Sequence, residues 1–380
     1  MTPPEQSILP EEYAAMEPKA LESKIAARKG QLGKHLCILG HHYQRDEVIQ
    51  FADFTGDSLK LSQLAAAQTE AKYIVFCGVH FMAESADILS SAEQMVCLPN
   101  MHAGCTMADM ADVEDVQAAL EEIASMTGAK VVPITYVNSS AAVKALTARA
   151  DGACCTSSNV RNVFQWALHR MSQGGAGAER IFAIPDQHLG RNTAVAMGYS
   201  LDDCVVYDPH LAGGGLTADA AGRAKFILWK GHCYVHQVFK PQDIVRVRAE
   251  HKDIRVIVHP ECTREVVALA DASGSTEQII RAVEEGAPGS KWAIGTEKNL
   301  VNRLARKHPE MFIRVLSDAP SVCAQMARID LPHLLWVLDN LTEGKVVNRI
   351  AVPPHVAADA RLALERMINI KAVRELTPGD

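Results

Sequence analysis

The sequence predicts an α/β protein made of three similar blocks, each with a mostly parallel sheet. Apolar, strand-like runs alternate with helical patterns, the same order of elements occurs three times, and each occurrence ends in a short turn that contains a cysteine. These cysteines are Cys105, Cys233 and Cys323. We therefore expect an internal threefold repeat in which the three cysteines occupy equivalent positions.

Length and composition narrow the possible classes of protein. A chain of 380 residues is longer than a single core usually becomes, and 48% hydrophobic residues suffice for two or three cores. The net charge is −7 and the chain has no run of Lys and Arg, so it lacks the electrostatic footprint of a protein that binds nucleic acid or an anionic membrane. We expect small-molecule partners, with no nucleic acid and no membrane.

The N-terminal residues and the cysteine content indicate a compartment. Residues 1–20 are acidic and lack the basic-then-apolar order of a signal peptide, and no apolar run approaches the roughly 18 residues of a membrane span. We therefore expect a cytoplasmic protein. In that reducing environment, ten cysteines indicate buried residues and a few metal-binding or catalytic thiolates rather than a disulfide framework.

The expected domains are a helical lead-in over 1–33, α/β domains over 34–113, 114–242 and 243–331, and C-terminal helices over 332–380 that pack back on the domains. Hydrophobic periodicity places the elements. In the first domain we expect strands over 36–39, 73–79 and 95–99 and helices over 46–54, 58–67 and 81–89. In the second we expect strands over 131–137, 181–184 and 226–229, helices over 113–126 and 155–168, and an insertion containing Gly213–Gly215. In the third we expect strands over 255–258, 292–294 and 312–316 and helices over 277–283 and 299–307, followed by tail helices over 331–341 and 355–369.

The three repeated cysteines are candidate metal ligands. If the blocks surround one axis, they supply three thiolates and leave one coordination position free, as in catalytic metal sites. Thiolate ligation suits either zinc or an iron-sulfur cluster. The alternative is that they are small buried side chains. That interpretation is favoured for Cys37, Cys77, Cys97, Cys154 and Cys155, which lie in or at the end of apolar runs, and structural roles are also favoured for Cys204 and Cys262.

Hydroxyl and carboxylate residues stand at one predicted helix start in each block. They are Asp57-Ser58, Thr156-Ser157 and Ser275-Thr276. Capping of free backbone N–H groups explains each of them taken singly. Three helix N-termini that face one axis would also bind carboxylates or phosphate. This pattern favours a small, multiply anionic substrate.

Side chains suited to acid–base chemistry follow the first strand of each block. They are His41, His42 and Tyr43, then Tyr136 and Asn138, then His259 and Glu261. Each could instead be a hydrogen-bonded core group. A glutamate two residues from a histidine, across a proline that restricts the turn, is nevertheless well suited to proton transfer.

Eleven motifs together resemble the quinolinate synthase family of the iron-sulfur type, nearly from end to end. The motifs are GHHYQ at 40–44, FTGDSLKLS at 54–62, CGVHFMAE at 77–84, AGCTMAD at 103–109, YVNSSAAVKA at 136–145, CCTSSN at 154–159, GHCYVH at 231–236, HPEC at 259–262, GSTEQII at 274–280, IGTEKNLVNRL at 294–304 and SVCAQM at 321–326.

The resemblance implies three pseudo-symmetric, three-layer α/β domains in a triangular arrangement around a 4Fe-4S cluster with one open iron. It implies condensation of iminoaspartate with dihydroxyacetone phosphate to quinolinate, with loss of phosphate and two waters, in de novo NAD biosynthesis. Functional coupling to the enzyme that makes iminoaspartate is compatible with this role. By matching position, the cluster ligands are Cys105, Cys233 and Cys323, the catalytic residues are Tyr43, Tyr136, His259 and Glu261, and the substrate-binding residues are His41, Ser58, Asn138, Ser157, His236, Ser275 and Thr276.

Two other functions remain open on the sequence. One is a hydro-lyase that uses the same open-iron cluster on another small polycarboxylate. The other is a non-catalytic iron or redox sensor. A sensor needs only the thiolates, so the Tyr, His and Glu residues at the strand ends argue against it.

Overall fold

A computed structural model describes residues 8–172 and 179–370 of the chain. These residues form two compact units. Unit 1 comprises residues up to Cys105, Val238–His259 and Leu269–Pro353, and unit 2 comprises Thr106–Gln237, Pro260–Ala268 and the residues from Pro354 onward. Each unit is described by itself below.

The helices and strands alternate along the chain as predicted. The first segment contains α1 (Glu11–Ala14), α2 (Pro18–Leu32), β1 (Leu36–His41), α3 (Asp46–Ile49), β2 (Phe54–Gly56), α4 (Ser58–Ala67), β3 (Tyr73–Cys77), α5 (His80–Leu89) and β4 (Met95–Cys97). The second contains α6 (Val113–Thr127), β5 (Val131–Tyr136), α7 (Ala141–Arg149), β6 (Ala153–Cys155), α8 (Val160–Ser172), β7 (Arg180–Ile184), α9 (Gln187–Ala196), β8 (Cys204–Tyr207), α10 (Ala218–Arg223), β9 (Phe226–Trp229) and α11 (Tyr234–Gln237). The third contains α12 (Pro241–Glu250), β10 (Arg255–Val258), α13 (Arg264–Leu269), β11 (Ala272–Ser273), α14 (Thr276–Glu284), β12 (Lys291–Gly295), α15 (Lys298–Lys307), β13 (Phe312–Val315), α16 (Leu331–Thr342), β14 (Arg349–Ile350) and α17 (Pro354–Asn369).

Three sheets share one strand order. Unit 1 holds the sheets β14-β4-β3-β1-β2 and β11-β10-β12-β13, and unit 2 holds β6-β5-β7-β9-β8. If the strands of each block are counted from its start and the edge strands β14 and β8 are set aside, every sheet has the order 2-1-3-4. All neighbouring pairs are parallel except β14 with β4. The α/β class and the repeat of elements are therefore confirmed.

The shared strand order explains why polar residues collect at one edge of each sheet. Connections leave the first and third strands in opposite directions, so a crevice forms between the carboxyl ends of these two neighbours. The residues after β1, β5 and β10 are those predicted to carry chemistry. In unit 1, His42 N–H donates to the carbonyl of Gly56 and His259 N–H donates to that of Gly295, which fixes both loops to their sheets.

Several elements differ from the sequence prediction. The helix expected over 46–54 is wrong, because α3 ends at Ile49 and the chain then extends into β2, where Phe54 pairs with Leu39. The helix expected from residue 155 starts at Val160, after a turn in which the Asn159 side chain accepts the Thr156 N–H at 2.8 Å. Short strands and helices that pattern analysis missed are β2, β6, β8, β11, β14, α7, α10, α11, α12 and α13.

The insertion before Cys233 adds the edge strand β8 to the sheet of unit 2. Tyr207, at the end of β8, stacks on Trp229 and donates its hydroxyl to Glu122 at 2.6 Å. The other oxygen of Glu122 accepts the Gly213 N–H at 2.9 Å. Gly214 has a φ of 63°, and a Cβ there would lie 2.1 Å from the Tyr207 ring, so only glycine fits. The insertion thus covers the Trp229 end of the core.

The turn before Cys233 depends on a close approach between two backbone segments. Gly231 forms an isolated parallel bridge with Asp186, and a Cβ on Gly231 would lie 2.4 Å from the carbonyl oxygen of Pro185. A carbonyl oxygen is backbone and cannot rotate away as a flexible side chain would. The segment from Trp229 to Cys233 therefore requires glycine at this position.

We expect Gly231→Ala to lower the free energy of unfolding by about 1–3 kcal/mol, because the added methyl group forces the two backbone segments apart. Urea denaturation followed by circular dichroism measures the loss. Gly222→Ala is the matched control, since a Cβ there meets nothing within 4 Å and lies in α10, where alanine favours the helix. Equal stability of both variants would contradict this account of the turn.

Candidate active site

Each repeated cysteine lies in a loop after the fourth strand of its sheet and is tied to the start of a helix. The carbonyl two residues before the cysteine accepts a backbone N–H from the first residue of that helix. The three bonds are His80 N to Ala103 O at 2.8 Å, Gln187 N to Gly231 O at 3.0 Å and Lys298 N to Ser321 O at 3.0 Å. The equivalent positions predicted for Cys105, Cys233 and Cys323 are therefore present in the backbone.

The remaining cysteines are poor candidates for metal ligands. Burial raises the pKa of the thiols of Cys37, Cys77, Cys97 and Cys154 to about 12 and that of Cys204 to about 11. Burial also raises the pKa of Cys155 well above its ordinary value. The metal ligand is the thiolate, so a raised thiol pKa makes these cysteines weaker candidates for metal binding. Cys105, Cys233 and Cys323 are half-buried, whereas Cys262 is fully buried.

In unit 1, the loop after β1 places a neutral imidazole beside a tyrosine. His41 is buried, and this burial is the largest reason that its pKa falls to about 3, with the charges of His42 and His259 adding to the effect. Its Nδ1 accepts the Tyr43 N–H at 3.1 Å, so the proton of the neutral ring resides on Nε2. The two rings meet edge to face at 4.7 Å. His41 can therefore donate a hydrogen bond to a ligand without carrying charge.

The hydroxyl of Tyr43 joins two parts of unit 1. It lies 2.9 Å from the Thr296 hydroxyl and accepts a longer hydrogen bond, 3.4 Å, from Thr276 at the start of α14. Two of the predicted site residues, Tyr43 and Thr276, are thus brought together. Thr296 was missed by the sequence analysis, although its place directly after β12 is the kind of strand end that gave the other candidates.

Arg303 holds the loop that carries His41 and Tyr43. From α15 its guanidinium donates to the carbonyls of His42 at 2.8 Å and Gln44 at 2.5 Å, and its Nε pairs with Asp46 at 2.7 Å. Asn299, one turn earlier, donates to the Tyr43 carbonyl at 3.2 Å. These residues position the loop from the neighbouring sheet, and no local motif in the sequence links them to it.

In unit 2, Cys233, His236 and Glu261 form the candidate metal centre. One ligand atom from each of the three side chains lies within 4.8 Å of the other two. His236 Nδ1 and Glu261 Oε2 are 2.8 Å apart, and the two side chains are only 1% and 3% exposed. The sequence analysis placed His236 in substrate binding and coupled Glu261 to His259, whereas the structure gives Glu261 a hydrogen bond to His236.

The Glu261 turn is held on both sides by amide groups. Asn192 of α9 donates from Nδ2 to the carbonyls of Pro260 at 2.8 Å and Cys262 at 2.9 Å. Gln237 donates to the Glu261 carbonyl at 3.1 Å. The backbone that carries the Glu261 side chain is therefore fixed on both sides. Asn192 and Gln237 were not predicted, because their role depends on residues about 70 and 24 positions away.

The carboxyl groups of Asp186 and Glu297 reinforce the turns of Cys233 and Cys323, and neither residue was predicted. Burial, and then the negative charge of Glu261, raise the pKa of Asp186 well above its ordinary value. Burial also raises the pKa of Glu297 to about 7, although the hydrogen bonds that its carboxyl group accepts from backbone N–H groups lower the pKa. Both residues follow the third strand of their block, which is a signal that the repeat alignment could have supplied.

The loop after β5 presents Tyr136 and Asn138 in unit 2. Tyr136 is buried at the end of its strand. The Oδ1 atom of Asn138 is buried and has no hydrogen-bond partner among the residues that the structure describes. The fully buried Lys144 donates to the Ser139 carbonyl at 2.6 Å and holds this turn. An unsatisfied buried acceptor at a strand end is suited to a ligand that donates a hydrogen bond.

Two of the three predicted helix starts contain a cap, as the simpler interpretation held. Asp57 accepts the Lys60 N–H at 3.0 Å at the start of α4, and Ser275 forms a capping box with Gln278 at the start of α14. Ser58 and Thr276 are the first residues of these helices. Ser157 lies in the turn before α8, where Thr156 and Asn159 bond to each other. Whether these residues also bind substrate stays a prediction.

A parallel α/β scaffold that carries thiol, imidazole, carboxylate and phenol groups at its strand ends belongs to the class of α/β enzymes with a candidate metal centre. The family model described as "Quinolinate synthetase A protein" matches residues 23–369. The chain therefore belongs to the quinolinate synthetase A family. None of the helices that the structure describes has the length and apolar character needed to cross a membrane.

Named relatives match almost the whole chain. Quinolinate synthase from Acidobacterium capsulatum is 53% identical over 363 residues, which cover 94% of this chain and 95% of the relative. The quinolinate synthase from Geobacillus thermodenitrificans is 53% identical over 363 residues, with coverage of 95% and 96%. The Bacillus cereus quinolinate synthase is 50% identical over 365 residues, with coverage of 96% and 97%. The sequence resemblance is thereby confirmed.

We expect Arg303→Lys to destabilise the loop over 42–46 by about 1–3 kcal/mol, since an ammonium group cannot serve two carbonyls and a carboxylate in the planar geometry of a guanidinium. Urea denaturation and the rate of proteolytic cleavage in this loop measure the effect. Arg306→Lys is the control, because Arg306 is more exposed and its ion pair with Asp46 should contribute little. If both variants are cleaved at the wild-type rate, the loop does not depend on Arg303.

Proposed function

We propose that this chain catalyses the quinolinate synthase reaction in de novo NAD biosynthesis. Iminoaspartate condenses with dihydroxyacetone phosphate to give quinolinate, inorganic phosphate and two waters. Membership of the quinolinate synthetase A family and the 50–53% identity with named quinolinate synthases support this proposal. The structural observation that carries it is the group formed by half-buried Cys233 with buried His236 and Glu261, because it joins a candidate metal ligand to an acid–base pair.

The proposed cofactor is a 4Fe-4S cluster held by Cys105, Cys233 and Cys323. The donor chemistry fits, because these half-buried thiols follow the fourth strand of each block, whereas burial raises the thiol pKa of six other cysteines. With three protein thiolates, one iron stays open to substrate. When bound, the cluster supplies a Lewis acid that polarises substrate oxygens.

Substrate binding is assigned to neutral donors and helix N-termini. Ser58 begins α4, and Ser275 and Thr276 begin α14, where backbone N–H groups and the helix dipole favour carboxylates and phosphate. Ser157, Asn138 and His41 complete the proposed set. The uncharged His41 ring can donate to a substrate oxygen, and the buried Asn138 oxygen can accept from an imine or hydroxyl.

Proton transfer is assigned to Glu261 with His236, and to Tyr43, Tyr136 and His259. The His236–Glu261 pair is excluded from solvent, so a proton shared between Nδ1 and Oε2 passes to a bound molecule rather than to bulk water. Loss of two waters and one phosphate requires groups that both accept and donate protons. The Tyr43 hydroxyl, which contacts two threonine hydroxyls, is placed to do either. The enzyme that supplies iminoaspartate would be a functional partner of this site.

We expect Cys105→Ser, Cys233→Ser and Cys323→Ser each to abolish iron retention, because two thiolates do not hold the cluster. Iron analysis after anaerobic purification measures the loss. Cys97→Ala is the control, since Cys97 is fully buried in β4 with its thiol protonated, and this variant should keep its iron. A Cys323→Ser protein with full iron content and brown absorbance would overturn the ligand assignment.

Glu261→Gln should retain iron and bind substrate yet lose turnover by about 10²–10⁴-fold, the usual contribution of a general acid or base. The amide keeps the size of the side chain and a hydrogen bond to His236 but cannot take up a proton. An anaerobic assay of quinolinate formed from iminoaspartate and dihydroxyacetone phosphate measures turnover. Loss of iron together with activity would instead make Glu261 a metal ligand, and near-wild-type turnover would remove it from the mechanism.

A further inference from the structure

We propose that Asp186 and Glu297 are positioning residues that hold the turns of Cys233 and Cys323 by accepting the backbone N–H of each cysteine. The inference rests on the proposed function, because the turns need this precision only if the two cysteines bind the cluster. The carboxyl groups occupy the same place in two of the three blocks. Each follows the third strand and caps the helix that begins there.

Asp186 divides its two oxygens between two elements of unit 2. Oδ1 accepts the Leu189 N–H at 2.7 Å and caps α9, and Oδ2 accepts the Cys233 N–H at 3.2 Å. The side chain is 2% exposed, so water does not compete for either bond. The neighbouring Gln187 N–H bonds to the Gly231 carbonyl at 3.0 Å. The Cys233 turn is therefore attached to the start of α9 at two adjacent points.

Glu297 repeats this arrangement in unit 1. Oε2 accepts the Asn299 N–H at 2.7 Å and the Leu300 N–H at 3.3 Å, which caps α15. The carboxyl group also accepts the backbone N–H of Cys323. Glu297 is fully buried, and the next residue, Lys298, bonds to the Ser321 carbonyl at 3.0 Å. Aspartate and glutamate thus serve the same purpose at equivalent positions.

The first block has the same backbone scaffold with a different side chain. His80 N–H bonds to the Ala103 carbonyl at 2.8 Å, so the residue equivalent to Asp186 and Glu297 is Val79. Valine has no side-chain oxygen to offer to the Cys105 turn. Position 79 in the first block therefore lacks the buried carboxyl group that positions 186 and 297 carry in the other two blocks. The Cys105 turn therefore serves as an internal comparison for the Cys233 and Cys323 turns.

Hydrogen bonds to the sulfur atoms of an iron-sulfur cluster raise its reduction potential. A cysteine N–H that is bonded to a carboxyl oxygen does not donate to sulfur, so it does not raise the potential in this way. An amide replaces one of the two accepting oxygens by an NH2 group. At position 186 it can therefore cap α9 or hold the Cys233 N–H but not both, and at position 297 it removes one of the oxygens that accept backbone N–H groups. We therefore expect Asp186→Asn and Glu297→Gln to loosen the turns and to free the cysteine N–H groups. Substitution of groups that orient metal ligands usually lowers metal affinity by about 10–100-fold.

The test compares the rate of iron release and the midpoint reduction potential of the cluster in the anaerobically purified wild-type and variant proteins. Asp186→Asn and Glu297→Gln should lose iron to a chelator at least about tenfold faster than wild type, and the midpoint potential of the cluster should rise. Asp112→Asn is the matched control, because Asp112 caps α6 by accepting the Glu114 N–H at 3.1 Å, and asparagine caps a helix as well as aspartate does. It should behave as wild type in both measurements.

Wild-type iron release and potential in a folded Asp186→Asn or Glu297→Gln protein would overturn the inference and leave the proposed function intact. A wild-type protein that holds no cluster would instead overturn the proposed function. Hydrogen exchange of the wild-type apo protein decides the matter if neither variant folds. Peptides that contain the Cys233 and Cys323 N–H groups should show protection there, and rapid exchange at both positions would refute the attachment.

Discussion

Unpaired backbone groups at the carboxyl ends of parallel strands are the constraint on which this structure depends. A strand that ends inside the protein leaves N–H and carbonyl groups that must find partners, and buried side chains supply them here. Asn192 bonds to the carbonyls on either side of Glu261, Arg303 bonds to those of His42 and Gln44, and other polar groups cap the helices that follow. The loops that carry chemistry are held in place by these hydrogen bonds to their backbone.

The same arrangement of strand-end loops occurs in all three blocks because the three sheets share one strand order. Each has its crevice between the first and third strands, and each places a cysteine turn after the fourth. The three blocks differ in the side chains that they carry at equivalent positions. The first block offers a neutral imidazole and a tyrosine, whereas His236 of the second block and Glu261 of the third form a buried pair next to Cys233, and these groups differ in the protons they can hold. A repeated scaffold with unequal side chains is suited to a reaction that needs several proton transfers.

Hydrophobic periodicity was sufficient to predict the long elements and the α/β class, because a buried strand or an amphipathic helix shows its period within a few residues. It failed where tertiary pairing decides the conformation, as in the two-residue strands β11 and β14 and in β2, whose residues extend only because β1 lies beside them. Strand-end residues such as Tyr43 and Glu261 could be named from their position. Their supports, Arg303 and Asn192, could not, because each acts across a large sequence separation.

The central claim is that one chain holds one 4Fe-4S cluster at which quinolinate is made. Iron and acid-labile sulfide analysis of the anaerobically purified wild-type protein tests it most directly, together with turnover of iminoaspartate and dihydroxyacetone phosphate by the same sample. The account predicts about four irons and about four sulfides per chain, with quinolinate formation that is lost when the cluster is removed. A single metal ion per chain without sulfide, or full turnover by an iron-free protein, would contradict it.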